Sequence, residues 1–432
     1  MIALALTSRI EESERIAERL KAEQAHKIIN PVKLDLETRL GALHIIAEKD
    51  KVLIDDRGLT WAEYITPDEE NFLRRVHEAE SIQELAKTLE SVEGFYSGLK
   101  ASRSSITIFK DHVGLIPLSY KLIGKGLLIG CEVKALGLSS RRLKPGTILR
   151  YDLAGFKEMR WYSSRSLRLG DPASALAKEI LEALEKYLPR EFSMAFSGGL
   201  DSSILAYAAK TLGKEVEPIV IGVKGCLDHE WASEAADLLG LRLKVIMVSE
   251  KDLIKISKEL QRFLVDPSPM DLSIASIFNL ASRSSSKKVM VAGQGADELF
   301  GGYKKYEDLL LRCGAEEVKK SMIKDLEDLY RINLERDEIA ATLAGSRLIP
   351  PYLTRRIYEI SGSIGLELKL RRLNGEIVRK WILREAAKIL GVPERLRLRP
   401  KKAAQYSSGL QKLIERLFKE GLLAQQPKPS PG

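Results

Sequence analysis

The sequence predicts an α/β unit on a mainly parallel sheet with a helical C-terminal part, preceded by a smaller α+β unit. Three observations lead there. From about Ser193 onward, short apolar runs alternate with segments of helical period, the signature of successive βαβ units. Before about Tyr151 strand-like runs dominate and helices are few. Between the two lies a polar stretch, Ser163 to Pro172, containing Gly-Asp-Pro. At roughly 100 to 200 residues per domain, the 432 residues accommodate such a division. We place the units at residues 1–162 and 170–424 and expect a disordered tail at 425–432, where Gln-Gln-Pro-Lys-Pro-Ser-Pro-Gly offers nothing to bury.

Taken in order, Ala3 to Leu6 reads as a strand, Ala42 to Ala47 alternates as one, Ser81 to Leu89 is helical, and Gly94 to Leu99 and Ser105 to Phe109 are strands. A helix over Ala173 to Leu188 opens the second unit. The alternation then runs as strand Ser193 to Phe196, helix Ser202 to Leu212, strand Pro218 to Val223, helix Trp231 to Leu239, strand Leu243 to Val248 and helix Asp252 to Phe263. Helix Ser273 to Ala281 and strand Lys288 to Ala292 follow, and the helical region from Lys304 to about Leu422 is expected to cap the carboxyl edge of the sheet.

Composition excludes several classes. With 44% hydrophobic and 30% charged residues the chain is globular, not disordered or fibrous. No apolar run approaches the roughly 18 residues needed to cross a bilayer. Met1 to Leu6 is too short, and lacks the basic flank, for a signal peptide, so a cytoplasmic location without membrane partners is expected. Cys131, Cys226 and Cys313 are far apart with no CxxC, and the five histidines form no HxH or HExxH pair, which argues against disulfide frameworks and histidine-built metal sites. A net charge of +9 spread over this length does not by itself indicate a nucleic-acid partner.

Chemistry concentrates in two glycine loops. Ser197-Gly198-Gly199-Leu200-Asp201-Ser202-Ser203 follows a strand and opens a helix. Glycines allow close approach, serine hydroxyls donate, and the helix amino terminus favours an anion, so the loop reads as a phosphate cradle. It is neither a Walker A nor a GxGxxG loop. Asp201 beside a phosphate makes sense with an intervening Mg²⁺. Gly293-Gln294-Gly295-Ala296-Asp297-Glu298-Leu299-Phe300-Gly301-Gly302-Tyr303 follows another apolar strand and, at the same sheet edge, could bring Asp297 to the same metal. The alternatives are a capped glycine turn and a helix cap at Asp297 and Glu298.

Together these loops resemble the ATP pyrophosphatase (PP-loop) domain of the asparagine synthetase family, β-lactam synthetase included. Arg379-Lys-Trp-Ile-Leu-Arg-Glu385 through Arg399-Pro400-Lys401 is similar to that family's C-terminal helix and Arg-Pro-Lys loop. The resemblance implies ATP and Mg²⁺ as cofactors, with Ser197 to Ser203, Gly293 and Gly295 holding the nucleotide and Asp201 and Asp297 the metal. It implies Lys401 facing the phosphates. The implied reaction is adenylation of a carboxylate, aspartate first among them, with loss of pyrophosphate, then displacement of AMP by ammonia.

The first unit resembles a class II glutamine amidotransferase domain through Asp111 to Tyr120, Cys131 to Leu136, both similar to late strands of that domain, and Lys144-Pro145-Gly146. There the resemblance implies a cysteine nucleophile directly after the initiator methionine. Here that position is Ile2, so free ammonia, or a partner glutaminase, is expected as the nitrogen source. A homodimer is also compatible. Gln294 stands where the family commonly has glutamate, a proton acceptor in amide formation, and Arg336-Asp337 with Gly345 to Thr354 resembles its substrate-facing segment without the usual acids. The Arg399 to Gly409 stretch is similar to asparagine synthetase domain-containing proteins. Two alternatives follow, an ATP-binding scaffold without turnover and amide or lactam closure on another carboxylate. An RNA-modifying enzyme lacks the expected thiolation cysteines.

Overall fold

The computed structural model describes residues 2–24, 28, 30–399 and 408–423. Lys401 and the tail at 425–432 lie outside the described residues. The expected α/β and α+β architecture is what the chain adopts.

In the first unit two six-stranded antiparallel sheets face each other. One contains β1 (Ile2–Thr7), β2 (Pro31–Thr38), β3 (Gly41–Glu48), β8 (Ser119–Ile123), β9 (Gly126–Gly130) and β10 (Arg141–Arg142), in the order β10-β8-β9-β1-β3-β2. The other contains β4 (Val52–Asp55), β5 (Gly58–Ile65), β6 (Phe95–Ala101), β7 (Ser105–Lys110), β11 (Thr147–Asp152) and β12 (Gly155–Arg160), in the order β12-β11-β7-β6-β5-β4.

Side-chain alternation along β1 shows why the layers stack as they do. Ile2, Leu4 and Leu6 point into the space between the sheets, against Trp61, Leu99 and Ile108. Ala3 and Ala5 point outward, where their small size lets α1 (Ile10–Glu23) approach with Ala17 and Leu20. On the opposite outer face Phe72 and Val76 of α2 (Glu69–Glu78) and Leu85 and Leu89 of α3 (Ile82–Ser91) cover Tyr96 and Phe109. Each fully buried side chain of this size contributes roughly 1.5–3 kcal/mol. A helix-sheet-sheet-helix sandwich results.

Two expectations for this unit need correction. Helices α1 and α2 carry few apolar residues in highly charged sequences, Ile10 to Glu23 and Glu69 to Glu78, and the sequence reading passed over both. Residues 131–136 are not a late strand: Val133–Leu136 is a helical turn, α4, and of Asp111 to Tyr120 Ser119 and Tyr120 belong to β8.

The second unit starts with α5 (Pro172–Tyr187), capped by Asp171, whose carboxylate accepts the Ser174 amide at 2.9 Å. Its sheet is fully parallel. Strands β13 (Glu191–Ala195), β14 (Glu215–Gly222), β15 (Lys244–Met247), β16 (Val289–Val291) and β17 (Arg347–Ile349) are ordered β15-β14-β13-β16-β17. Helices α6 (Leu200–Thr211), α7 (Leu227–Leu239), α8 (Glu250–Gln261) and α9 (Pro269–Arg283) make the crossovers. The chain therefore adds strands first to one side of β13 and then to the other. The switch falls between β13 and β16, where open parallel sheets take ligands at their carboxyl ends.

Candidate nucleotide and acyl-transfer site

Both glycine loops leave the sheet at that switch point, one from β13 and one from β16. In the first, Gly198 has φ +67°, and a side chain there would collide with the carbonyl of Trp231, so glycine is required twice over. Gly199 is the N-cap of α6 and makes no side-chain cap, which leaves the first-turn amides to other partners. Asp201 sits in that first turn. Ser197, Gly199 and Asp201 are partly exposed, whereas Gly198, Leu200, Ser202 and Ser203 are buried. Ser203 turns its hydroxyl inward, where no described residue partners it. In the second loop Gly293 lies against Cβ of Asp201, and Gly295 (φ +84°) against the side chain of Leu353.

The two aspartates converge as expected, and Lys380 stands between them. Its Nζ lies 2.7 Å from both carboxylate oxygens of Asp201 and 2.7 Å from Oδ1 of Asp297. Lys380 is 2% exposed and adopts a left-handed backbone (φ +56°), immediately before α16 (Trp381–Leu390) and after the hairpin β18 (Leu370–Leu373) and β19 (Glu376–Arg379). A non-glycine residue in this region costs about 1–2 kcal/mol, so it is held there by its contacts. A side chain on Gly302 would collide with Asp297 and with Cε of Lys380. No sequence signal marks Lys380 for this position, because a lysine before a helix is ordinarily a surface charge.

Two carboxylates are a donor set that suits Mg²⁺, which keeps waters and takes its remaining ligands from phosphate oxygens. Among the described residues no group of three or more acidic, histidine or cysteine side chains is placed to bind a metal alone. Asp201 and Asp297 therefore fit a metal that arrives with a nucleotide, provided the Lys380 ammonium moves toward the phosphates.

Gln294 is anchored from behind. Its Nε2 donates to Oδ2 of Asp337, whose Oδ1 accepts Nε of Arg336 at 2.7 Å, and Arg336 continues to Oδ1 of Asp271 at 3.0 Å. Asp337 is 0% exposed, and burial raises its pKa against the opposing pull of Arg336. The site is thus not empty of acids: Asp337, on α13 (Glu335–Leu343), supplies a carboxylate that sequence proximity does not reveal.

Arg399 was also unassigned. Its guanidinium donates to the carbonyls of Gly198 (2.7 Å) and Trp231 (3.0 Å) and pairs with Glu234, pinning the first loop to the segment that leads toward 400. Arg384 holds the carbonyls of Arg379 and Arg399 on either side. Asp228-His229-Glu230 begins α7, with Asp228 buried.

Residues 189–317 and 311–428 match the family model described as Asparagine synthase, more than half of the chain between them. A protein of Methanocaldococcus jannaschii provisionally named asparagine synthetase (glutamine-hydrolyzing) 1 is 29% identical over 77% of this chain and 72% of its own length. The asparagine synthetase (glutamine-hydrolyzing) of Sandersonia aurantiaca is 26% identical over 69% of this chain and 61% of its own. That of Triphysaria versicolor is 24% identical, and the chain spans 54% of its length. Among solved structures, the glutamine phosphoribosylpyrophosphate amidotransferase of B. subtilis superposes with a TM-score of 0.31 at 11% identity, covering 59% of this chain and 92% of that one.

Proposed function

Because the chain belongs to the asparagine synthase family, we propose that its second unit, residues 170–424, is an ATP-dependent, AMP-forming carbon-nitrogen ligase. Aspartate is the leading carboxylate and asparagine the product. A carboxylate oxygen attacks the α-phosphorus, the bond to the β-phosphate oxygen breaks, and pyrophosphate leaves with that electron pair. Ammonia then adds to the acyl carbon, AMP departs, and the amine sheds a proton. Such a reaction needs positioning and charge neutralisation more than covalent help. Mg²⁺ on Asp201 and Asp297 would neutralise phosphate charge. Loop amides of 197–203 and 293–295 cradle the nucleotide, Lys380 follows the phosphates, and Lys401 is assigned a share of the phosphate charge by its place in the Arg-Pro-Lys motif alone. Gln294 orients the incoming amine, with Asp337 behind it.

The observation that carries this reading is the convergence of two glycine-loop aspartates on one ammonium at the sheet's switch point. The experiment is product analysis: AMP and pyrophosphate, against ADP and phosphate, with candidate carboxylates and either ammonia or glutamine. ADP as product excludes the reading. Substrates other than aspartate are favoured by one feature: in the segment that resembles the family's substrate-facing one, Arg347 is engaged by Glu63 of the first unit at 2.9 Å. Nucleotide binding without turnover on any carboxylate would leave the scaffold alternative.

The nitrogen source is proposed to be ammonia. Along β1 every side chain from Ile2 to Leu6 is a buried aliphatic, and buried Cys131 donates its amide to Gln24 within the first unit's packing. Incubation with glutamine should release glutamate no faster than a no-protein blank. Release abolished by Cys131→Ala would show a nucleophile this reading denies.

Gln294→Glu puts a second carboxylate against Asp337 and removes the amide hydrogen that Asp337 accepts. One proton must then be shared, so the pair's folded pKa stands above the unfolded value near 4. A raised carboxyl pKa leaves stability intact at low pH and removes it as pH rises through the folded value. Relative to the parent, the variant should lose roughly 2–4 kcal/mol, at about 1.4 kcal/mol per pH unit, as pH rises from about 4 toward about 7. Melting at several pH values reads this directly, and a difference independent of pH contradicts the pairing. Its ammonia-dependent rate should climb over the same interval as the shared proton leaves and a base appears.

A further inference from the structure

The first unit touches the second at points directly behind the two glycine loops. His112 Nε2 donates to the carbonyl of Leu353 at 2.9 Å. Leu353 packs on Gly295, and neighbouring Tyr352 donates its hydroxyl to the Asp201 carbonyl at 3.0 Å. Two residues on, Arg355 reaches across to the end of α3 and donates to the carbonyls of Glu90 (2.7 Å), Leu89 (2.9 Å) and Val92 (2.6 Å). Those carbonyls are orphaned at a helix C-terminus, where a cation is favoured twice, by hydrogen bonding and by the dipole. The guanidinium also lies over the rings of Trp161 and Tyr162. On the other wall Arg142 grips both carboxylate oxygens of Glu335, two residues before Asp337.

These cross-links are desolvated: His112 is 5% and Arg355 9% exposed. Breaking these bonds would leave further buried polar atoms without partners, beside His112 Nδ1 and Arg355 Nε which already have none among the described residues, so they favour one relative arrangement of the two units over a range of them. Burial also keeps His112 neutral, its pKa pushed down to about 3, so the bond from Nε2 does not depend on protonation.

We propose that the first unit acts as a clamp on the nucleotide site, with His112 and Arg355 fixing the wall that carries Leu353 and Gly295, Arg142 fixing the wall that carries Asp337 and Gln294, and all three serving as positioning residues. The proposal rests on reading the glycine loops as that site. It gives the first unit a task that needs no nucleophile.

The test is hydrogen exchange on the full chain without nucleotide. His112→Ala should speed exchange of the amides at 293–297 and 199–203 by roughly tenfold, while those inside β13 and β14 stay within about twofold. His112→Gln, whose amide can donate from the place of Nε2, should return exchange toward the parent. A merely structural histidine would not show that rescue. Where His112→Ala fails to fold, the double variant Arg142→Met, Glu335→Gln removes both members of that pair together and should loosen 293–297 to the same degree. In AMP formation the variants should lose kcat by roughly tenfold with ATP affinity nearly unchanged. Loops that exchange at the parent rate in both variants overturn the clamp. Because exchange needs no turnover, a parent that never makes AMP but whose loops respond would refute the proposed reaction and leave the clamp standing.

Discussion

Asp201→Ala is expected to lower formation of AMP and pyrophosphate by roughly 10³-fold or more, the scale on which removal of a preorganised charge-stabilising group acts. The position explains the size. Asp201 lies in the first turn of α6, where the helix dipole and loop amides would receive a phosphate. A carboxylate there repels the ligand unless a cation stands between them. In the ligand-free chain that cation is the Lys380 ammonium, which both carboxylate oxygens of Asp201 hold at 2.7 Å. Alanine removes one proposed metal ligand and one of the two carboxylates that hold Lys380 in the phosphate path. The fold should survive, because Asp297 still pairs with Lys380 and the α6 backbone needs no side chain at 201. Circular dichroism and melting should therefore resemble the parent while product formation fails. A variant that turns over normally, or one that shows ADP as the parent's product, would sink the assignment.

How far the sequence reveals this arrangement can be judged residue by residue. Strands β13, β14 and β16 are short apolar runs closed by glycine, a signal that survives without tertiary information, and the loops they feed were legible at once. So was the meeting of Asp201 and Asp297, since the carboxyl edge of a parallel sheet gathers its loops by topology. Helices α1 and α2 were not legible, because their apolar residues are few and, for α1, the hold on the sheet depends on alanines such as Ala3 and Ala5. Lys380 was invisible for another reason. Its charge looks like any surface lysine until the hairpin before it and the left-handed turn at φ +56° swing the side chain inward. Asp337 belongs to a segment the resemblance singles out, but its contact with Gln294 was not legible, because it lies 43 positions from the amide that it accepts. Contacts of that span are written by packing, not by local pattern. The clamp belongs to the same class, with His112 and Leu353 separated by 241 positions.

Lys380→Met separates the metal proposal from the catalytic one, because its main expected effect is on stability. Methionine keeps much of the volume and removes the charge that two partly buried carboxylates share. Deleting one partner of a buried ionic cluster leaves uncompensated charge and costs roughly 3–5 kcal/mol. For a unit of about 250 residues that is a fall in Tm of roughly 6–20 °C in buffer containing a chelator. If Asp201 and Asp297 can hold Mg²⁺, the variant should recover with the logarithm of added metal, by about 2.7 kcal/mol when Mg²⁺ reaches roughly 100 times its dissociation constant. The parent, whose ammonium already occupies the position, should respond weakly to Mg²⁺ alone. Turnover of the variant should stay low even with metal restored, since the charge that follows the phosphates is gone. Melting of Lys380→Met that is indifferent to Mg²⁺ into the tens of millimolar would show that the two aspartates do not share a metal site, and would confine Asp201 and Asp297 to holding Lys380 in place.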